Sequence, residues 1–315
     1  MTGRNGTYGL LTLMAVFWGS AFVGSKVAVG SVPPEVAAFF RFGLGGVFMW
    51  LILRTRKKEN RLIPSAYRGI VLFLGVTGVA AYNWLFFRAL DFSMASDGSM
   101  IIPTMSPVFT TLLAVLFLKE VLTRRQVFGL CLSCLGSLVF FSGIMAGGFD
   151  GTRMTGDLLF LLAAGCWSVY TLYGNRVLKE LDPFPVTAYA MLTGAVVLGA
   201  VALPRFGTVQ WGELGFDFWA LQLYLALFPS VLANWFYYRG VKRIGASRAA
   251  VFMYLVPVSG VFLAILLLEE RLTGMQLTGS LLMILGVWFV NRKRIPSAPS
   301  TEQPVSRTVT GGGRS

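Results

Sequence analysis

One arginine, Arg41, stands inside an otherwise apolar stretch, and the 315 residues contain no histidine. Zinc, haem and proton relays therefore lose their commonest ligand. A guanidinium at depth can attract a carboxylate or phosphate group; it can also snorkel outward or bond helix-end carbonyls. Lys26, near the end of another apolar run, presents the same choice. Cys131-Leu-Ser-Cys134 has the spacing of a metal or redox pair, but Cys166 is the only other cysteine, so small thiols in a helix interface are the expectation. The run from Gly19 to Lys26 superficially resembles a phosphate loop. It lacks the Gly-Lys-Ser/Thr order and a preceding strand. No metal, cofactor or ATP drive is expected.

Aromatic and amide residues form the next group. Trp18 and Phe22 share a helix face at i, i+4, as do Trp167 and Tyr170 at i, i+3. Tyr82, Asn83 and Trp84 are echoed by Asn234, Trp235 and Tyr237. Such residues suit a cavity for an apolar or aromatic solute, with the asparagines orienting its polar end; an interfacial belt or simple packing is the alternative. Pro103, Pro107, Pro229 and Pro257 lie inside apolar runs, where proline frees backbone carbonyls. Glu120 and Glu270 close two such runs, as gating or proton-carrying groups or as residues capping the following helix. Glu35, Asp91, Asp97 and Asp157 are the other carboxylates near these runs.

The elements that must position these residues are helices in lipid. Hydrophobic residues make up 55% of the chain and charged residues 13%, with a mean hydropathy of +0.68. A soluble domain carries roughly 25% charged residues. Ten charge-poor runs, from 7–25 to 275–291, approach the roughly 20 residues that span a bilayer. The net charge of +13 does not make a nucleic-acid face, because the basic residues crowd into alternate gaps between runs. Arg54, Arg56, Arg68, Arg124, Arg125, Arg176, Lys179, Arg239 and Arg243 fall on one side with both termini. Lys26, Arg88, Arg153, Arg205 and Arg271 are left for the other. The positive-inside rule makes the first side, and both termini, cytoplasmic. The apolar N-terminal run has no processing site and is read as a span, not a cleavable signal.

The chain is also written twice. Pro107, Glu120, Leu122, Thr123, Gln126, Gly129 and Gly136 recur as Pro257, Glu270, Leu272, Thr273, Gln276, Gly279 and Gly286. Trp18 and Trp167 each precede a proline, Pro34 and Pro183; Asn83-Trp84-x-x-x-Arg88 recurs as Asn234-Trp235-x-x-x-Arg239. Five spans per copy is odd, so the copies must be inverted relative to each other. The predicted fold is an all-α polytopic membrane protein of ten transmembrane helices, two inverted five-helix repeats around a central cavity. The repeats are expected at 7–145 and 157–292. The tail at 295–315, rich in Pro, Ser, Thr and Gly, is expected to be disordered and cytoplasmic.

With Trp18-Gly19-Ser20, Arg41 and the two Pro…Glu-x-Leu-Thr units in place, the chain resembles the EamA-type branch of the drug/metabolite transporter superfamily over about residues 8–292. The resemblance implies that helices 1–4 and 6–9 line a central cavity, with 5 and 10 outside. It also implies transport of a small metabolite, such as an amino acid or derivative, in many relatives by export. One departure is that Ala190 stands where the second copy would place a match to Arg41. A channel would want a charge ring or filter, and an enzyme a polar cluster at one depth; neither pattern is visible. The expectation is a secondary transporter in the inner (plasma) membrane, working by alternating access on a small-molecule substrate, with the bilayer as its other partner. Monomer and homodimer are both left open.

Overall fold

A computed structural model describes residues 4–56, 62–119, 121–146, 150–244, 249 and 252–291. Glu120 and the 295–315 tail lie outside the described residues. The described chain is helical throughout. Helices α1 (Arg4–Val29), α2 (Pro34–Thr55), α3 (Ser65–Phe92), α4 (Ala95–Leu118) and α5 (Arg124–Ala146) form the first half. The second half comprises α6 (Gly151–Val177), α7 (Pro183–Ala202), α8 (216–244), α9 (Leu255–Leu268) and α10 (Gly274–Asn291). Eight of these helices are long and apolar enough to cross a membrane, and two shorter apolar helices, Phe252–Leu268 and Gly274–Val290, complete the ten.

Large apolar side chains cover the outside of the bundle, with Val196 73% and Leu116 71% exposed. In water such a surface would aggregate; in lipid it is solvated.

Helix packing respects the duplication. Helix α1 packs on α8 and α9, while α6 packs on α3 and α4, which is the same pattern with the halves exchanged. Helices α2 and α7 pair with each other, as do α4 and α9, and α5 and α10. The α5–α10 pair runs antiparallel. A Cβ on Gly129 would meet the Gly286 carbonyl at 2.6 Å, and one on Gly136 the Met283 nitrogen at 2.6 Å. Only glycine permits backbones this close.

The repeated Glu-x-Leu-Thr-x-x-Gln segment has one local structure in both copies where both can be described. Lys119 (φ 53°) and Glu269 (φ 56°) end α4 and α9 in the left-handed region. Gln126 and Gln276 accept the Thr123 and Thr273 backbone N–H groups, each at 2.9 Å, and the threonine hydroxyls accept the glutamine N–H groups in return. These are capping boxes that start α5 and α10.

Candidate functional site

Two groups of buried polar residues among the described residues concern the site. The first is central. Arg41, on α2, is only 7% exposed, so it does not snorkel. Its Nη1 donates to Ser25 Oγ at 3.0 Å and its Nε to Ser230 Oγ at 3.3 Å. The guanidinium also lies 4.9 Å from the centre of the Phe42 ring. Among the described residues no carboxylate reaches it, so its charge is met by hydroxyls and ring faces only. The phenols of Tyr82 and Tyr224 are within electrostatic range. Tyr224 OH is 2.7 Å from Ser20 Oγ.

Ser230 belongs to a wide turn that the sequence did not announce. In α8, residues Ala226–Leu232 form π-type turns containing Pro229, and in α3 Gly75–Ala81 do the same. The two lie at matching places in the repeats. Such turns leave carbonyls open to side chains: Trp18 Nε1 donates to the Pro229 carbonyl at 3.0 Å, and Ser230 Oγ to the Leu225 carbonyl at 2.9 Å. Just beyond each turn an asparagine bonds backwards, Asn83 Nδ2 to Val79 and Asn234 Nδ2 to Ser230, both at 2.8 Å. The amide oxygens remain as acceptors.

The aromatics sort into two sets. Phe22 meets Phe86 at 5.4 Å, Tyr82 meets Trp167 at 5.2 Å, and Trp167 meets Tyr170 at 5.2 Å. Trp18 packs on Tyr237 at 5.7 Å. Each half thus contributes a first-helix tryptophan to a third-helix tyrosine of the other half. Trp84 and Trp235 are more open, 38% and 44% exposed, and the Arg239 guanidinium lies over the Trp235 ring.

Among the prolines, Pro103 and Pro107 lie inside α4. Pro257 sits in the first turn of α9, directly after the 3-10 turn Phe252–Tyr254.

The second polar region closes one end of the bundle. Asp97 of α4 and Asp157 of α6 are fully buried. Arg153 holds Asp97 bidentately, Nε to Oδ2 at 2.7 Å and Nη2 to Oδ1 at 2.9 Å. Ser93 Oγ lies 2.6 Å from Asp157 Oδ1 and 3.1 Å from Asp97 Oδ2. Gln276 Nε2 approaches Asp97 Oδ1 at 3.5 Å. Lys26 Nζ donates to the carbonyls of Leu90 and Ser93, filling the end of α3 where a cation suits the helix dipole.

Glu270 corrects an expectation. It does not cap the helix that follows it; its two carboxylate oxygens accept the Ala95 and Ser96 N–H groups, each at 2.9 Å, at the start of α4. The Thr273–Gln276 pair caps α10 instead. Replacing Glu270 with alanine leaves two helix-start donors unmet and should cost about 1–2 kcal/mol. Glutamine, keeping one acceptor, should recover part of that loss in thermal unfolding of the detergent-solubilised protein; equal stability of all three would remove the cap.

Apolar windows hid this end cluster. They start after both aspartates, at Gly98 and Leu158, whereas α4 starts at Ala95 and α6 at Gly151. The early start of α6 has a local cause: Asp150 caps it by accepting the Thr152 and Arg153 N–H groups. The i, i+4 spacings Ser93–Asp97 and Arg153–Asp157 were the available signal.

Comparison with known proteins agrees with this architecture. The EamA-like transporter family matches twice, over residues 6–142 and 154–292. The uncharacterized transporter YyaM of Bacillus subtilis is 31% identical over 94% of this chain and 97% of its own. A probable amino-acid metabolite efflux pump of Salmonella typhimurium is 27% identical over 89% of this chain and 92% of its own. A protein of known crystal structure, 20% identical, superposes with a TM-score of 0.63 over 91% of this chain and 96% of its own, a likeness of fold. Two family matches that together cover nearly the whole ten-helix bundle make this chain a multi-pass membrane protein of the EamA-like transporter family.

Proposed function

We propose that the protein exports a small metabolite, an amino acid or derivative, by alternating access between its two inverted repeats, 7–145 and 157–292. The observation that carries this reading is Arg41, a cation buried inside the bundle that has no acid beside it among the described residues. A guanidinium so placed is costly unless an anion joins it. An amino-acid carboxylate would fill that role, with Trp18, Phe22, Tyr82, Trp167 and Tyr170 around its side chain. Asn83 and Asn234 would accept from its ammonium group, and Trp84 and Trp235 are proposed at the margins of the same path. The similar relatives named as amino-acid metabolite efflux pumps favour this class of solute.

We take both termini to be in the cytoplasm of a plasma-membrane protein and the Asp97–Arg153 end outside, a reading that the crowding of basic residues into alternate gaps supports. In this arrangement the outer end is latched. Export would begin from the cytoplasm, and rocking of the halves would release the Glu270–α4 and Arg153–Asp97 contacts.

Growth under a toxic excess of an amino acid or dipeptide tests the reading. Cells making the protein should outgrow vector controls. Arg41→Gln, Trp18→Ala and Trp167→Ala should lose the protection while still reaching the membrane fraction. No protection against any amino acid or dipeptide tried, or undiminished protection by Arg41→Gln, would remove this substrate class.

A further inference from the structure

The end cluster is one proton short. Ser93 has a single hydroxyl proton, yet its Oγ is within hydrogen-bond distance of two carboxyl groups, 2.6 Å from Asp157 and 3.1 Å from Asp97. A proton on one of the two acids would give both contacts a hydrogen of their own. Asp97 already accepts two bonds from Arg153, so it is the ionised member. Asp157 is fully buried, and among the described residues no cation is bonded to it and its Oδ2 has no hydrogen-bond partner. A buried charge in that setting would be very costly, whereas a neutral acid leaves only a carbonyl oxygen unmet.

We propose that Asp157 is a proton-binding site, holding its proton as a carboxylic acid that donates through Oδ1 to Ser93 Oγ while Ser93 donates onward to Asp97. The charged groups around it are Asp97 from α4 and Arg153 from its own helix, with Glu270, just beyond the end of α9, and Lys26 of α1 next to these. Gly156 makes the approach possible, since a Cβ there would sit 2.5 Å from Ser93 Cβ and 2.8 Å from the Ala89 carbonyl.

The second half does not repeat these residues in its sequence. Ala95-Ser96-Asp97 is written Ala246-Ser247-Arg248 in the second half, and the residue ten before Trp18, matching Asp157 ten before Trp167, is Tyr8. When this end opens, the Ser93 bridge breaks and Asp157 meets water. The acid then dissociates into a carboxylate and a proton taken up by bulk water, and closing again requires a proton from the same side. This coupling rests on the transporter reading; the bound proton does not.

Infrared difference spectroscopy of the purified full-length protein, in choline chloride at neutral pH, tests the site. A carbonyl stretch from a protonated carboxyl group should be present, shift on deuteration, vanish in Asp157→Asn and persist in Glu35→Gln. Ser93→Ala keeps the acid but removes its acceptor, so the band should move to higher frequency; this readout stands even if Asp157→Asn does not fold. Absence of the band in the wild type, its survival in Asp157→Asn, or an unmoved band in Ser93→Ala would overturn the proposal. Loss of the band when sodium replaces choline would overturn it in favour of a metal cation. Protection in the growth assay without the band would remove the proton site alone. The band without protection would support the site and remove the export reading.

Discussion

Arg153→Ala should destabilise the protein by about 3–5 kcal/mol, the usual consequence of removing one partner from a buried ion pair. Asp97 is fully buried and receives both of its strongest bonds from Arg153, at 2.7 and 2.9 Å. Without the guanidinium, the carboxylate keeps only Ser93 and the distant Gln276 amide. The double variant Asp97→Asn, Arg153→Gln removes both charges and keeps hydrogen-bonding groups of similar size, so it should be much closer to wild type than Arg153→Ala. Chemical unfolding in mixed micelles, with all variants compared at one detergent ratio, reads the difference. If the double variant were as unstable as Arg153→Ala, the loss would come from packing and not from an orphaned charge. The exposed pair Arg56–Asp182, at 3.2 Å, supplies the contrast: Arg56→Ala should cost no more than about 1 kcal/mol.

Gly136→Ala should cost about 1–3 kcal/mol although it adds one methyl group. The new Cβ would stand 2.6 Å from the Met283 nitrogen and 2.8 Å from the Gly279 carbonyl. Both are main-chain atoms, so no side-chain rotation relieves the overlap and the helices must part along the crossing. Gly165→Ala on α6 is the control, since nothing lies within 4 Å of its Cβ position. Relieved of glycine's backbone entropy, that variant should gain up to about 1 kcal/mol. Opposite signs in thermal unfolding would establish close approach as the cause; a shared sign would mean that helix propensity dominates at both sites.

Much of this protein is legible in its sequence, because lipid imposes a strict grammar. Charge-poor runs had to be helices, and repetition of Thr123–Gln126 as Thr273–Gln276 marked two helix starts that take the same capped form. The reach of Glu270 was not legible, because its partners on α4 are 174 and 175 residues away in sequence. The paired wide turns escaped for another reason: Gly75–Ala81 and Ala226–Leu232 share little sequence, and only Pro229 hinted at irregularity. Hydropathy misled at Asp97 and Asp157, where charged residues that look like loop ends are buried between helices. Arg41 was visible as an oddity, but its company of Ser25 and Ser230 required the halves to be folded together.

The crossing of α5 and α10 has an implication for how such a chain arose and how it can be taken apart. Gly129 approaches Gly286, the repeat of Gly136, and Gly136 approaches Gly279, the repeat of Gly129, so each glycine touches the duplicate of the other. That reciprocity is the signature of an isologous interface, the kind formed by two identical subunits about a two-fold axis. The crossing has the geometry that two identical subunits would make with each other, here within one polypeptide. Halves severed between α5 and α6 and produced together would still carry both sides of that self-complementary seam.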